Sequence, residues 1–387
     1  MILRKGHHLA YCTNIHRGES WAETMGALET YVMAVRDRVC PAGPFGIGLW
    51  LSDRASRELT QDPATLLGFR RWLDKHKSYV FTINGFPFGR FHGLRVKEQV
   101  YLPDWTAEER VAYTNRLFDI LAALLPPGVE GSVSTLPGGF KEFVHTAAQA
   151  RAIRANLFRS VEHAVRVGEQ TDRKLHLALE PEPLCLIETI DETIQFFDRM
   201  RIEHKFDTRL DEHLGVNYDT CHLAVEFEEP AMALQRLRDH HIRIDKIHLS
   251  SSLKARPTDA ARNGLRAFDD PVYMHQVVAR FADGRLARYR DLGPALADAE
   301  AGSAEEWRVH FHIPLHCPAG DWFEPTTDHL LAVLDALAFN PTLCNHLEME
   351  TYTWEALPPH LKSRDVVDQL AGEYEWTLAR LEARALA

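Results

Sequence analysis

Along this chain, short apolar runs that stop at a charged or turn-forming residue alternate with longer stretches whose apolar positions recur every three or four residues. The short runs predict strands at 9–13, 45–51, 79–83, 132–136, 175–179, 216–219, 242–249 and 344–349. Between them, helical spacing predicts helices over 20–39, within 62–77, over 106–125, 144–169, 189–201, 229–240 and 327–338, and from about residue 363 onward. Ser20 with Glu23 three residues on reads as a capping box for the first helix. Thr106 opens the third helix and Pro126-Pro127 stops it, since proline lacks the N–H a helix needs. Thr326 or Thr327 caps the seventh.

The rhythm breaks once. Residues 254–306 hold a helix-like piece at 273–281, a candidate strand at 285–290 and an acidic, alanine-rich segment, and 308–315 alternates as one more strand. An inserted segment, 254–318, after the seventh strand accounts for the break, within a single domain spanning 1–387. Strand followed by helix, eight times over, favours a parallel sheet with helices outside. Eight units in 387 residues favour a closed (β/α)8 TIM barrel over a doubly wound sheet. No Gly-x-Gly-x-x-Gly follows the first strand, which argues against a dinucleotide-binding fold.

Composition narrows the function classes. A hydrophobic fraction of 45% is enough to bury a large core. Forty-four Lys and Arg against 55 Asp and Glu give a net charge of −11, which argues against general affinity for nucleic-acid phosphates. Six cysteines, at 12, 40, 185, 221, 317 and 344, form no C-x-x-C pair, so a zinc ribbon or dense disulfide framework is disfavoured and reduced cytoplasmic thiols are expected. The start, Met-Ile-Leu-Arg-Lys-Gly-His-His, is short and polar for a signal peptide. No apolar run reaches the roughly 18 residues of a membrane span. The expected partner is therefore a small-molecule substrate, with homo-oligomer formation left open.

In a barrel of this type the active site lies where the strands end. Strands five to eight end at Glu180, Asp219, His248 and Glu350. Three carboxylates converging in a low-dielectric mouth repel one another and raise each other's pKa; a dication removes that penalty. Three carboxylates and one imidazole suit Mn²⁺, Mg²⁺, Co²⁺ or Zn²⁺. A single acid at a strand end is ordinary, and Glu180 alone reads equally as structural; four successive ends of this kind point to one shared site. Glu348 shares a face with Glu350, because side chains alternate along a strand, and Glu350 is preferred as nearer the end. Glu182, after Pro181, reads as a loop carboxylate.

Most of the other residues carry more than one reading. His222, on the turn three residues past Asp219, is a ligand of a second metal, a substrate contact or a plain turn histidine. His310, His312 and His316 lie on the inserted strand; His-x-His can chelate zinc, and His312 is the candidate to enter the site. His16 and His92 lie at the ends of early strands without a local acid. Phe86, Phe88, Phe91 and Trp105 read as an aromatic loop over the mouth, either packed on itself or stacking on a substrate ring. Lys141 reads as a surface lysine or as a contact to an anionic group. Asp53-Arg54 and Arg70-Arg71 read as exposed charges.

Glu180-Pro-Glu-Pro183 resembles the Glu-Pro-Lys-Pro element of xylose isomerases, and Asn217-Tyr-Asp-Thr-Cys-His222 resembles both their Asn-Pro-Glu-Thr-Gly-His and the Asp-Thr-Cys-His of endonuclease IV. His248 and Glu350 fall where that superfamily, the xylose-isomerase-like barrels, places its last two ligands. The resemblance covers the whole chain in its order of elements. It implies that Glu180 and Glu350 are ligands and also the acid/base pair of an epimerase-type reaction, in which two carboxylates flank the substrate and exchange a proton on the carbon beside a carbonyl. It also implies extra zinc ions at early histidines such as His16 and His92, as in endonuclease IV relatives. Two departures stand out: Glu182 replaces the xylose-isomerase lysine, and Ser250-Ser-Ser252 replaces an Asp-rich motif after strand seven.

More narrowly, Tyr11-Cys-Thr-Asn-Ile-His16, Asn84-Gly-Phe-Pro-Phe-Gly89, Tyr101-Leu-Pro-Asp-Trp105, His310-Phe-His-Ile-Pro314 and Glu350-Thr-Tyr-Thr-Trp354 are similar to the EboE family of the bacterial Ebo metabolite-trafficking cluster. That resemblance implies a role in making or moving a secondary metabolite. Three functions follow as expectations: a metal-dependent isomerase or epimerase of a polyhydroxylated small molecule, a non-catalytic metabolite binder, and a zinc-dependent phosphodiesterase of endonuclease IV type.

Overall fold

The computed structural model describes residues 1–89, 97–269, 272–351, 354, 357–358, 362 and 365–387. Eight parallel strands close into a barrel: β1 (His8–Cys12), β2 (Phe45–Trp50), β3 (Ser78–Asn84), β4 (Gly131–Thr135), β5 (Leu175–Leu179), β6 (Leu214–Asp219), β7 (Arg243–Leu249) and, last in the chain, β13 (His346–Met349), which fits between β7 and β1. The expected (β/α)8 barrel is therefore the fold. These strands are short, apolar and buried on both faces, as parallel strands covered by helices must be. The helices around them start where their capping residues dictate. Ser20 with Glu23, Thr146 with Gln149, and Thr189 with Glu192 each form a reciprocal capping box.

Local signals mislead in four places. The helix expected from Thr106 begins at Glu108, because the Thr106 N–H and hydroxyl are taken by Asp104. Asp53–Gln61 is a helix of its own, capped by Ser52; Arg54 is exposed as expected, but Asp53 is held between Arg57 and Arg116. His222 does not lie on a loose turn, since Thr220–Val225 is helical. The piece at 273–281 is not helical: Val277–Arg280 is a strand.

That strand, β9, belongs to a second sheet inserted after β7. With β8 (Leu253–Ala255), β10 (Leu286–Tyr289), β11 (Glu306–Val309) and β12 (Glu324–Pro325) it forms a five-stranded sheet in the order β10-β9-β11-β8-β12, antiparallel throughout. Trp307, Phe268, Phe311 and Phe323 pack beneath it in a core separate from the barrel's. The expected strand at 308–315 ends at Val309, so His310, His312 and His316 lie beyond it. Backbone bonds from Ile313 to Ser251 and from Thr326 to Ser252 fix the sheet against the end of β7. Among the described residues, no helix is long and apolar enough to cross a membrane.

Candidate metal centre

The barrel's register assembles the site. In register, Asp219 on β6 and Glu348 on β13 are both the strand-pairing partners of His248 on β7. Glu180 and Glu350 are the first residues past β5 and β13. Their N–H groups donate to Thr135 and Leu249 carbonyls at 3.0 Å each, which continues the ladder one residue and holds both carboxylates at the mouth. One ligand atom from each of Glu180, Asp219, His248 and Glu350 lies within 4.8 Å of the others, and all four residues are buried. His248 Nδ1 is 2.7 Å from Glu180 Oε1, 2.9 Å from Glu350 Oε2 and 3.5 Å from Asp219 Oδ2.

The two oxygens of Asp219 have different fates. Oδ1 accepts from the Cys221 N–H at 2.7 Å, the His222 N–H at 3.0 Å and the Ser250 hydroxyl at 2.6 Å, and so starts the helix Thr220–Val225. Oδ2 is buried and, among the described residues, accepts no hydrogen bond. Its nearest cationic neighbour, His248 Nδ1, stands 3.5 Å away and is shared with Glu180 and Glu350, so this buried oxygen is under-satisfied unless a further cation meets it. The donor set therefore fits a divalent ion held by Glu180, Asp219, His248 and Glu350.

The electrostatics agree. Burial pushes Glu350 up, to about 7, against the pull of His248. Burial also acts on Glu180, but the charge and hydrogen bond of His248 carry it below the ordinary carboxylate value. Asp219 is carried well below, burial being outweighed by His222 and His248. Burial lowers His248, yet Glu350 and Glu180 hold it well above an ordinary histidine. An imidazolium at His248 thus supplies positive charge among the acids. An ion at Nδ1 would displace that proton, so loading is coupled to pH.

One step deeper lies a second ring. Lys246 and Glu348, both fully buried, form an ion pair. Lys246 Nζ also donates to Asn84 Oδ1, Asn84 Nδ2 donates to Glu348 Oε1 at 2.9 Å, and the Ser134 hydroxyl donates to Asn84 Oδ1 at 2.9 Å. Burial raises Glu348, but Lys246 brings it down to about 2. Glu348 Oε2 lies 3.3 Å from His248 Nε2, which orients the ring and keeps Nδ1 facing the mouth. Gly48 is required here, because a Cβ would collide with the Glu348 carboxylate. Lys246 is no candidate on sequence grounds, and Glu348 ranks there behind Glu350. Their period-two spacing from His248 and Glu350 is the signal that points to them.

Histidines past β11 extend the cluster. Glu182, His222 and His310 form one further group of closely spaced ligand atoms, and Asp219, His222 and His312 another. Gln276 Nε2 donates to the Pro183 carbonyl at 3.2 Å, so Oε1 is the atom that meets His310 Nδ1 at 2.8 Å, and that nitrogen carries the proton. His310 Nε2 is then a lone pair, buried without a partner among the described residues. His222 Nδ1 meets the Pro181 carbonyl at 3.1 Å. His312 Nδ1 lies 4.0 Å from Glu350 Oε2, so His312 enters the site. His316 joins none of these groups.

Several other expectations change. Glu182 lies in the loop after β5, as expected, but it is buried, takes the Tyr101 hydroxyl at 2.6 Å, and burial pushes it up to about 7. His16 stays out of the cluster, stacked between Tyr11 and Tyr31 with Tyr11 Oη 2.5 Å from its Nε2. His92 and Phe91 lie outside the described residues. Lys141 is a half-buried partner of Glu188 and Glu192. Of the aromatic loop, Phe86 lines the cavity at the mouth, Phe88 packs on Tyr113, and Trp105 is buried on Thr135.

A closed parallel barrel with three carboxylates and an imidazole gathered at its C-terminal mouth is a (β/α)8 barrel with a candidate metal centre. Among solved structures it is similar to L-ribulose 3-epimerase, with TM-score 0.51 and 13% identity over 98% of this chain and 95% of that one. It is similar to a D-tagatose 3-epimerase-like protein, with TM-score 0.50 and 13% identity over 97% of each chain. It is also similar to AsbF of Bacillus anthracis, a probable 3-DHS dehydratase involved in petrobactin synthesis, with TM-score 0.50 and 13% identity over 96% of this chain and 98% of that one. No protein-family model matches the sequence, and no curated protein matches it. At this identity the likeness is one of fold.

Proposed function

We propose that this protein is a metal-dependent isomerase or epimerase acting on a polyhydroxylated small molecule. The observation that carries the reading is the Asp219 Oδ2 atom, buried without a donor among Glu180, His248 and Glu350 at the mouth of the barrel. A bound divalent ion would supply Lewis-acid polarisation of a substrate carbonyl. The chain's own part is proton transfer. Glu180 and Glu350 face one another with unlike proton affinities, Glu180 lowered and Glu350 raised to about 7. Pairs pushed apart in this way divide acid and base roles near neutral pH. In this division Glu180 takes a proton from the carbon beside the carbonyl and Glu350 gives one back. The names of the structural neighbours, an epimerase, an epimerase-like protein and a probable dehydratase, are consistent with such chemistry. The EboE-like segments extend the reading to a secondary metabolite as the compound handled.

The test is metal analysis of protein purified without chelator, followed by activity of Glu180→Gln and Glu350→Gln on hydroxyketones. The expected result is about one divalent ion per centre and a loss of at least about 100-fold in turnover for each variant. Protein that takes up no divalent ion at any concentration sinks the reading. The group Glu182, His222 and His310 favours a second reading, a multi-zinc hydrolase. Two or three tightly held zinc ions, with phosphodiester cleavage, would select it.

A further inference from the structure

Above the carboxylates the site changes character. The cavity at the mouth is partly open to solvent. Its floor is polar and comes from the strand ends: Glu180, Glu350, His248 and their neighbours. Its walls come from elsewhere. Phe86, Val100 and Tyr101 belong to the segment after β3, and Tyr273 and Met274 belong to the insertion. A bare strand-to-helix connection after β7 would supply neither of the last two.

These walls are built rigidly. Phe86 stacks on Tyr101 at 5.7 Å with planes 17° apart, and Tyr101 stacks on Phe140 at 5.0 Å and 11°. Phe86 ends that stack and is half-buried, with its ring at the cavity. Tyr273 packs with Trp50, and Val100 of the first wall packs against that pair. Lys97 ties the two walls together: its ammonium binds the Tyr273 carbonyl and Asp291 Oδ2, each at 2.6 Å. That cation is committed to holding the wall. A sugar chain of hydroxyl groups would leave its oxygens facing rings, while a flat apolar group would bury against them.

We propose that the cavity takes an α-hydroxycarbonyl compound bearing an uncharged aromatic arm, the oxygens on the floor and the ring between Phe86 and the Tyr273–Met274 wall. The proposal rests on the metal-dependent isomerase reading above and narrows its substrate: the hydroxyl oxygens are confined to the head at the floor, and the arm carries none. On this proposal the insertion selects the substrate by its arm.

Two probes separate arm from head. Hydroxyacetone and 2-hydroxyacetophenone carry the same carbonyl and hydroxyl, with a methyl group in one and a phenyl ring in the other. Titration calorimetry on the full chain, its metal content measured beforehand, should show 2-hydroxyacetophenone binding roughly tenfold tighter or more. Phe86→Ala should bring that ratio below about threefold, whereas Glu350→Gln should weaken both probes alike. Metal-loaded protein that binds the two probes equally, or that binds neither, overturns the arm and leaves the metal chemistry standing. A preference that survives both Phe86→Ala and Met274→Ala also overturns it. Protein that holds no metal instead overturns the isomerase reading on which the arm depends.

Discussion

Two rings of polar side chains lie one pleat apart inside the same barrel and reach neutrality by different means. The deeper ring, Lys246, Glu348, Asn84 and Ser134, is complete: every charge meets its opposite and the amide and hydroxyl are used. The upper ring, Glu180, Asp219, His248 and Glu350, has more acid than its imidazole can answer, and Asp219 Oδ2 is left over. Buried charge is common to both and distinguishes nothing. The excess of acceptors marks the upper ring as the place for a ligand. A third level, nearer the N-terminal end, is polar without charge: His346 Nδ1 meets the Ser132 hydroxyl at 2.9 Å, and that hydroxyl donates to Thr82. β13 supplies His346, Glu348 and Glu350, one member to each level.

The contrast can be broken from below. Lys246→Met leaves the Glu348 carboxylate buried and uncompensated, and should cost about 3–5 kcal/mol of stability. Urea unfolding measures it; a cost under about 1 kcal/mol would mean that the deeper ring is not self-contained. Pairing Lys246→Met with Glu348→Leu should recover most of the loss, since removing both charges removes the mismatch.

In the upper ring the same kind of substitution should act with the opposite sign. The Glu350 carboxyl is raised from an ordinary 4.5 to about 7 when folded, so stability falls as pH rises from about 4.5 to about 7 and stays lowered above that. At pH 8, Glu350→Gln should therefore melt higher than the parent when both lack metal. The parent should gain about 2.7 kcal/mol from a divalent ion at 100 times its dissociation constant, and the variant much less. Melting curves with and without metal decide the matter, and equal gains in the two proteins would remove Glu350 from the ion's partners.

The smallest effect belongs to the uncharged level. Burial pushes His346 down to about 3 from an ordinary 6.5. The unfolded chain then takes a proton that the folded chain refuses. Stability from this group is full above pH 6.5 and is lost as pH falls toward 3. His346→Gln should shallow the decline between pH 7.5 and 5 by roughly 2 kcal/mol, read from urea midpoints. An unchanged slope would mean that the imidazole is charged inside the barrel.

The upper ring is legible in the sequence because each member ends an apolar run, and strand ends in such barrels meet at one mouth. The deeper ring is harder to read. Lys246 and Glu348 are 102 residues apart, and a lone lysine in a strand gives no sign of its partner. Most of the barrel strands stand out as short, largely apolar runs. β9 does not, because Tyr273, Val277 and Phe281 keep helical spacing, and its identity comes from pairing with β10 and β11 instead. His-x-His at 310–312 is visible as a chelating pattern. That it approaches the mouth follows from how the second sheet docks on Ser251 and Ser252, which no local pattern encodes.

Asp219 ties two events together. One of its oxygens anchors the first amides of the helix that carries His222, and the other faces the place a cation would take. Both belong to one rigid carboxylate, so whatever tugs on the second oxygen is transmitted to the first. Filling the mouth and firming up that helix become a single transition, and hydrogen exchange at Cys221 and His222 would serve as its gauge.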